Sequence, residues 1–184
     1  MRLFLGIFPP PQVLREVGRI SGRLKARPGL ASGRHGPRWT KEEAWHLTLA
    51  FLGEQEPDVV PRILAAAGPL IASTAAFSCA LEGVGGFPNG DRARVLWLGV
   101  GAGREALLAL ASSVSGLLAG LGLGVGEAPF HPHLTLARSG RGPLRVPAMA
   151  ASATAFRVRE VALVHSHLAS SGAAYEVLER LPLA

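Results

Sequence analysis

Along the chain, apolar residues recur at two spacings, every second position in short runs and every third or fourth in longer ones. The run from Arg2 to Phe8 is closed by Pro9, Pro10 and Pro11. Val13, Leu14, Val17, Ile20 and Leu24 then share one helical stripe, so a strand followed by a helix over Val13–Lys25 is expected. A loop rich in glycine and arginine leads to a strand over Trp45–Gly53 and a helix over Pro61–Ala72. Ala76–Phe87 and Ala93–Val100 read as strands around a Pro88-Asn89-Gly90-Asp91 turn, followed by a helix over Arg104–Leu121 and a strand over His133–Arg138. Val146–Ala155 has the composition of a further helix, and Val158–Leu168 and Tyr175–Leu183 read as strands flanking a Ser170-Ser171-Gly172 turn.

Helices and strands are thus interspersed, and several strands are joined by turns too short for a crossover. This predicts an α+β fold in which residues 1–184 form a single domain of two pseudo-symmetric, duplicated lobes. Each lobe is a mainly antiparallel sheet with helices packed outside, and the two face a central cleft. With 184 residues, 48% of them hydrophobic, the chain can bury a core of that size. The uncharged stretch from Ala106 to Gly126 is long enough to cross a membrane. Its apolar residues keep a helical three-and-four spacing, however, broken by Ser112, Ser113 and Ser115 and by Gly120, Gly122, Gly124 and Gly126, which reads as a buried-face helix with a glycine-rich exit. The apolar part of the N-terminus is too short for a signal core, and the single Cys79 cannot form an internal disulfide, so a cytoplasmic location is expected.

Charge changes the picture next. Nineteen Lys and Arg face thirteen Asp and Glu, and only Lys25 and Lys41 of the cations are lysines. Arginine's planar fork suits phosphate oxygens, which favours polyanionic partners.

The candidate chemistry lies in a repeat. HLTL occurs at His46 and again at His133, whereas a shuffled chain of this composition would contain it about 0.004 times, so chance is not the reason. In a strand the leucines of each copy point one way and the His and Thr the other, so His46 with Thr48, and His133 with Thr135, share a polar face. Two imidazoles on opposite sides of a phosphate suit an in-line displacement, one taking a proton from water and the other giving one to the departing oxygen. The threonine hydroxyls are placed to donate to the non-bridging oxygens. Arg138 is a further phosphate-binding candidate, but strict alternation puts it on the wrong face, so a bulge or strand end is required to aim it.

Together, "MRLFLGIFPP", "RWTKEEAWHLTLAFLGE", "GGFPNGDRARVLWLGV", "FHPHLTLAR" and "HSHLASSGAAYEVLERLPL" resemble the two-histidine phosphoesterases, specifically the RNA 2′,3′-cyclic phosphodiesterases also called 2′-5′ RNA ligases. The resemblance implies hydrolysis of RNA 2′,3′-cyclic phosphate ends to 2′-phosphates without cofactor or metal, with His46 as proton donor and His133 as acceptor, and with 2′-5′ ligation as the reverse reaction. It implies RNA ends, such as those of tRNA fragments, or small cyclic nucleotides as partners, and a monomer without membrane association. Ala50 departs from the lysine common at that position in relatives.

Other constellations carry less. The pairs His131/His133 and His165/His167 have metal-ligand spacing, but no carboxylate or cysteine adjoins either in sequence, which leaves a metal-dependent hydrolase as the weaker alternative and a non-catalytic RNA- or nucleotide-binding module as a third. Phe87 is the candidate base-stacking ring, Trp45 and Trp97 read as core, and Arg34, Arg92 and Arg94 as a cationic rim. No phosphate loop of the G-x-x-x-x-G-K-[ST] kind is present, and Ser166 lacks the glycine-flanked turn of a nucleophilic serine.

Overall fold

The prolines that close the first apolar run also start the first helix. β1 (Arg2–Ile7) ends before Pro9, and Pro11 begins α1 (Pro11–Lys25), where its fixed φ suits the helix and its missing N–H has no helical partner to lose. The computed structural model describes residues 1–33, 36–123, 130–140, 142–169 and 172–184. Within them, β2 (Arg38–Trp39) and a 3-10 turn (Glu42–Ala44) lead into β3 (Leu47–Glu54) and α2 (Val59–Ala72). Then come β4 (Phe77–Cys79), β5 (Leu81–Phe87), β6 (Val95–Val100) and α3 (Arg104–Gly120), and β7 (His133–Arg138), β8 (Phe156–Val158), β9 (Glu160–Ala169) and β10 (Gly172–Pro182) complete the chain. The fold is α+β.

The main sheet is antiparallel in the order β10-β9-β1-β3-β7-β6-β5, with β2 added to β7. Its two halves, β10-β9-β1-β3 and β7-β6-β5, meet at β3 and β7, where Leu47 opposite Leu134 is the one registered pair. About that pair the connectivity repeats. β1, α1, β3, α2, β4 and β5 follow one another in the same order as β6, α3, β7, residues 146–155, β8 and β9. β9 pairs with β1 as β5 pairs with β6, and β4 and β8 pair with each other as a separate ribbon.

One face of the sheet carries the core. Val13, Val17, Ile20 and Leu24 of α1, Ile63, Ala67 and Ile71 of α2, and Leu107, Val114 and Leu118 of α3 join Leu3, Leu5, Leu47, Leu98, Leu134 and Leu163 in one buried cluster. The other face is largely uncovered. A small cluster of Phe4, Ala162 and Val164, with Phe8 and Tyr175 against it, lines that side.

The helix expected over Val146–Ala155 does not form. Residues 146–155 instead run beside the outer edge of β5, with the Gly83 N–H donating to the Ala151 carbonyl (2.8 Å), Ala153 N–H to the Leu81 carbonyl (2.9 Å) and Val146 N–H to the Gly90 carbonyl (2.8 Å). An open strand edge needs partners for its backbone groups, and this segment supplies them, which outweighs its alanine-rich composition. Thr154 is also tied to α1, its hydroxyl donating to Glu16 at 2.8 Å. The expected strand over Ala76–Phe87 breaks at Ala80, because β4 leaves the main sheet for β8. The Ser170-Ser171 turn and Gly124 and Gly126 lie outside the described residues. Among the described residues no helix is long and apolar enough to cross a membrane.

Candidate active site

Both HLTL segments sit at the junction of the half-sheets, on the uncovered face. Leu47 and Leu134 are buried opposite one another, and counting outward along antiparallel strands sets His46 across from Thr135 and Thr48 across from His133. The two imidazoles therefore occupy diagonal corners. The local geometry is the same in both copies: His46 Nδ1–H donates to the Ala44 carbonyl (2.8 Å) and His133 Nδ1–H to the His131 carbonyl (2.7 Å), each two residues upstream. Fixing the proton on Nδ1 leaves both Nε2 atoms for chemistry. His46 Nε2 lies 2.9 Å from the Thr48 hydroxyl.

Each ring is also braced by aromatics. Phe4 stacks on His46 with centroids 4.7 Å apart, and Tyr175 meets it edge-on at 5.0 Å. Phe87 meets His133 edge-on at 4.9 Å. Burial pushes both imidazoles below their ordinary protonation range, against the opposing pull of their carbonyl hydrogen bonds. Neighbouring charge lowers them further, from His133 and Arg138 on His46, and from His131 and Arg138 on His133.

The bulge needed to aim Arg138 is present. In the β6·β7 ladder Trp97 faces Thr135 but Leu96 faces Ala137, so Leu136 is an extra residue and every later side chain changes face. Leu136 and Ala137 are consequently both buried and Arg138 is exposed. β3 does the same against β1, where Gly6 faces Thr48 and Leu5 faces Ala50, leaving Leu49 extra. Leu49 and Ala50 are both buried, and Phe51 swings out to 42% exposure.

His46, Thr48, His133, Thr135 and Arg138 all line one cavity of about 690 Å³. Arg2, Arg38 and Lys41 line it too, and among the described residues no Asp or Glu does. Arg38 stands directly opposite Arg138 across the β2·β7 pair, a like-charge placement that is unfavourable unless an anion lies between. The cavity is built for negative charge.

A model of the 2′-5′ RNA ligase superfamily matches residues 9–169. The chain belongs to this superfamily. An RNA 2′,3′-cyclic phosphodiesterase of Thermus thermophilus is 35% identical over all of this chain and 90% of its own length. One from Geobacillus stearothermophilus is 33% identical over 79% of this chain, which spans about half of that longer relative (47%). The crystal structure of Escherichia coli LigT complexed with 3′-AMP superposes with a TM-score of 0.83 at 27% identity, covering 99% of this chain and 97% of that one.

Several cavity residues of this superfamily member were not singled out by motif. Arg2, Arg38 and Lys41 come from the first strand and from the loop before HLTL, where lone cations carry no pattern. Phe51 had a readable signal, since it follows His46 by the same five positions that separate Arg138 from His133. Its ring, with the Arg2 guanidinium 4.9 Å above the centroid, is the exposed aromatic face in the cavity. Phe87 does not line the cavity, because its ring is engaged with His131, His133 and Trp97. Trp45 is core at 4% exposure, while Trp97 is only half-buried, lying flat over Gly85. Ala50 is buried on the core side and does not line the cavity. Arg34 lies outside the described residues, and Arg92 and Arg94 line a separate depression beside Asn89 and Pro143. Burial pushes the Cys79 thiol up to about 12, which removes it as a nucleophile.

The histidine pairs separate. Among the described residues no Cys, Asp or Glu joins His131 and His133 in a ligand cluster. No carboxylate adjoins His165 and His167 in sequence, but in the fold β10 pairs Glu176 with His165 and brings its carboxylate to both rings. Sequence spacing along one strand does not reveal a carboxylate supplied by the next.

Proposed function

We propose that this protein hydrolyses the 2′,3′-cyclic phosphate at RNA 3′ ends, cleaved tRNA ends included, or in small cyclic nucleotides, leaving a 2′-phosphomonoester. The observation that carries the reading is the matched pair of imidazoles, each held by an upstream carbonyl with Nε2 turned into one cavity whose charged lining, among the described residues, is cationic.

In this mechanism the cyclic phosphate lies between the rings. His133 Nε2 takes a proton from water as the water oxygen bonds to phosphorus. The bond from phosphorus to O3′ breaks, and His46 Nε2–H supplies the proton to that oxygen. Thr48 and Thr135 donate to the non-bridging oxygens, and Arg138 offers its fork to the charge that accumulates there. Phe51 gives the terminal base a flat apolar face. Ligation to a 2′-5′ bond is the same path reversed, with a ribose hydroxyl in place of water. The correspondence of strands, pairings and bulges about Leu47 and Leu134 supports a single domain of two duplicated lobes, and the placement of every proposed group on one chain supports action as a monomer.

The test offers an oligonucleotide with a 2′,3′-cyclic end to the wild type and to the His46→Ala and His133→Ala variants, with chelator present. Wild type is expected to yield the 2′-phosphate, and each variant to lose at least about a hundredfold in rate while remaining folded. Full activity in either variant, or loss of wild-type activity on chelation, would refute the mechanism.

A further inference from the structure

Ser166 lines the catalytic cavity, so by strand alternation its neighbours His165 and His167 project from the opposite face of β9. Tyr175 and Glu176 divide between the two faces of β10 in the same way, Tyr175 toward the cavity and Glu176 toward the histidines. Residues two apart on a strand are ordinarily about 6.6 Å from each other. The two imidazoles instead lean together until their centroids are 3.8 Å apart.

Both rings converge on the same atom. Glu176 Oε2 lies 3.0 Å from His167 Nε2 and 3.7 Å from His165 Nδ1, and the ligand atoms of the three residues fall within 4.8 Å of one another. Ligands bound tetrahedrally to Zn²⁺ at about 2.0–2.1 Å stand roughly 3.3 Å from each other, so the two separations bracket the value an ion requires. Two imidazoles and a carboxylate also form a borderline donor set, which selects late first-row divalent ions over Mg²⁺ or Ca²⁺. Side-chain exposure rises from 17% for His165 to 46% for His167 and 60% for Glu176. One ligand is therefore anchored, and an ion can enter from solvent.

We infer that His165, His167 and Glu176 form a divalent-metal site, of the Zn²⁺ class, that clamps β9 to β10 on the face of the sheet opposite the catalytic cavity. The three side chains supply three ligands and water completes the coordination. The ion takes no part in phosphate chemistry, because the sheet stands between it and His46 and His133. Its effect is mechanical: it ties together the two strands that present Ser166 and Tyr175 to the cavity.

Protein stripped with chelator and then titrated with Zn²⁺ by calorimetry should take up one equivalent per chain. Bound Co²⁺ should show a visible ligand-field spectrum of mixed nitrogen and oxygen ligation. At a hundredfold excess over Kd, Zn²⁺ should raise the thermal midpoint by about 5 °C or more. His167→Ala and Glu176→Gln, both at exposed side chains, should each weaken uptake at least about tenfold and leave turnover within about twofold of wild type. The His46→Ala/His133→Ala double variant should keep the full equivalent, which separates this site from the catalytic imidazoles. Absence of the one-equivalent step, unchanged uptake in His167→Ala with Glu176→Gln, or loss of the step in the catalytic double variant would overturn the assignment.

Discussion

Arg138→Gln tests the bulge and the electrostatics together. Leu136 as an extra residue is what turns Arg138 into the cavity, and among the described residues no carboxylate lines the cavity to neutralise it. If Arg138 holds the charge building on the phosphoryl oxygens, its removal should lower kcat/KM by about 10² to 10³, or 2.7–4 kcal/mol of transition-state stabilisation. A second effect has an independent sign. The Arg138 charge helps hold His46 and His133 below their ordinary range, so without it both imidazoles become easier to protonate and both limbs of the bell-shaped rate profile should move to higher pH. Stability should change by no more than about 0.5 kcal/mol, since Arg138 is exposed and its substitution removes a like-charge pairing with Arg38. The assay is kcat/KM on a cyclic-ended oligonucleotide across pH 5 to 9 (about the range in which histidine titrates), with thermal melts alongside. Arg138→Lys should restore the pH profile but only part of the rate, because it returns the charge without the fork. A rate loss below about tenfold, or a profile that moves to lower pH, would refute the reasoning.

Other predictions follow from packing and burial. A Cβ on Gly85 would fall 2.0 Å from the Trp97 ring, so Gly85→Ala should cost about 1–3 kcal/mol in chemical denaturation and slow turnover by displacing the indole that packs beside His131 and His133; wild-type values for both would discount that packing. Phe51→Ala should weaken oligonucleotide binding by about 1–3 kcal/mol but leave hydrolysis of a cyclic phosphate lacking a base unaffected, and an equal loss on both substrates would argue against stacking. His46 and His133 are harder to protonate folded than unfolded, so they contribute stability that is present above the unfolded value of about 6.5 and is lost as pH falls through their folded values. Thermal midpoints of the double alanine variant should therefore depend less steeply on pH across that window than those of wild type, and equal slopes would contradict it.

The three long helices were legible because their stripes are uninterrupted and face one core, and observed ends fall within two residues of the sequence reading at α1, α2 and α3. The proposed catalytic residues His46, Thr48, His133 and Thr135 were legible because HLTL repeats. What escaped depends on partners remote in sequence. Composition favoured a helix at 146–155, whereas the unpaired edge of β5 determined its backbone. The bulges at Leu49 and Leu136 arise between strands and leave no trace in either one alone, so Phe51 and Arg138 read as facing the wrong way until the ladders are seen. Glu176 became a neighbour of His165 and His167 only through the β9·β10 register.

The meeting of the half-sheets at Leu47 and Leu134 has a mechanical consequence. The β3·β7 seam carries one registered pair, the fewest of any joint in the main sheet, whereas β1·β3, β1·β9, β5·β6 and β6·β7 are each laddered over several. One of the two proposed proton-transfer imidazoles lies on each side of that seam, so the alignment of the half-sheets sets the gap between them. Under the proposed mechanism, the room for an RNA end and the reach of its proton transfers are then one coordinate, set by how two leucines sit across a seam.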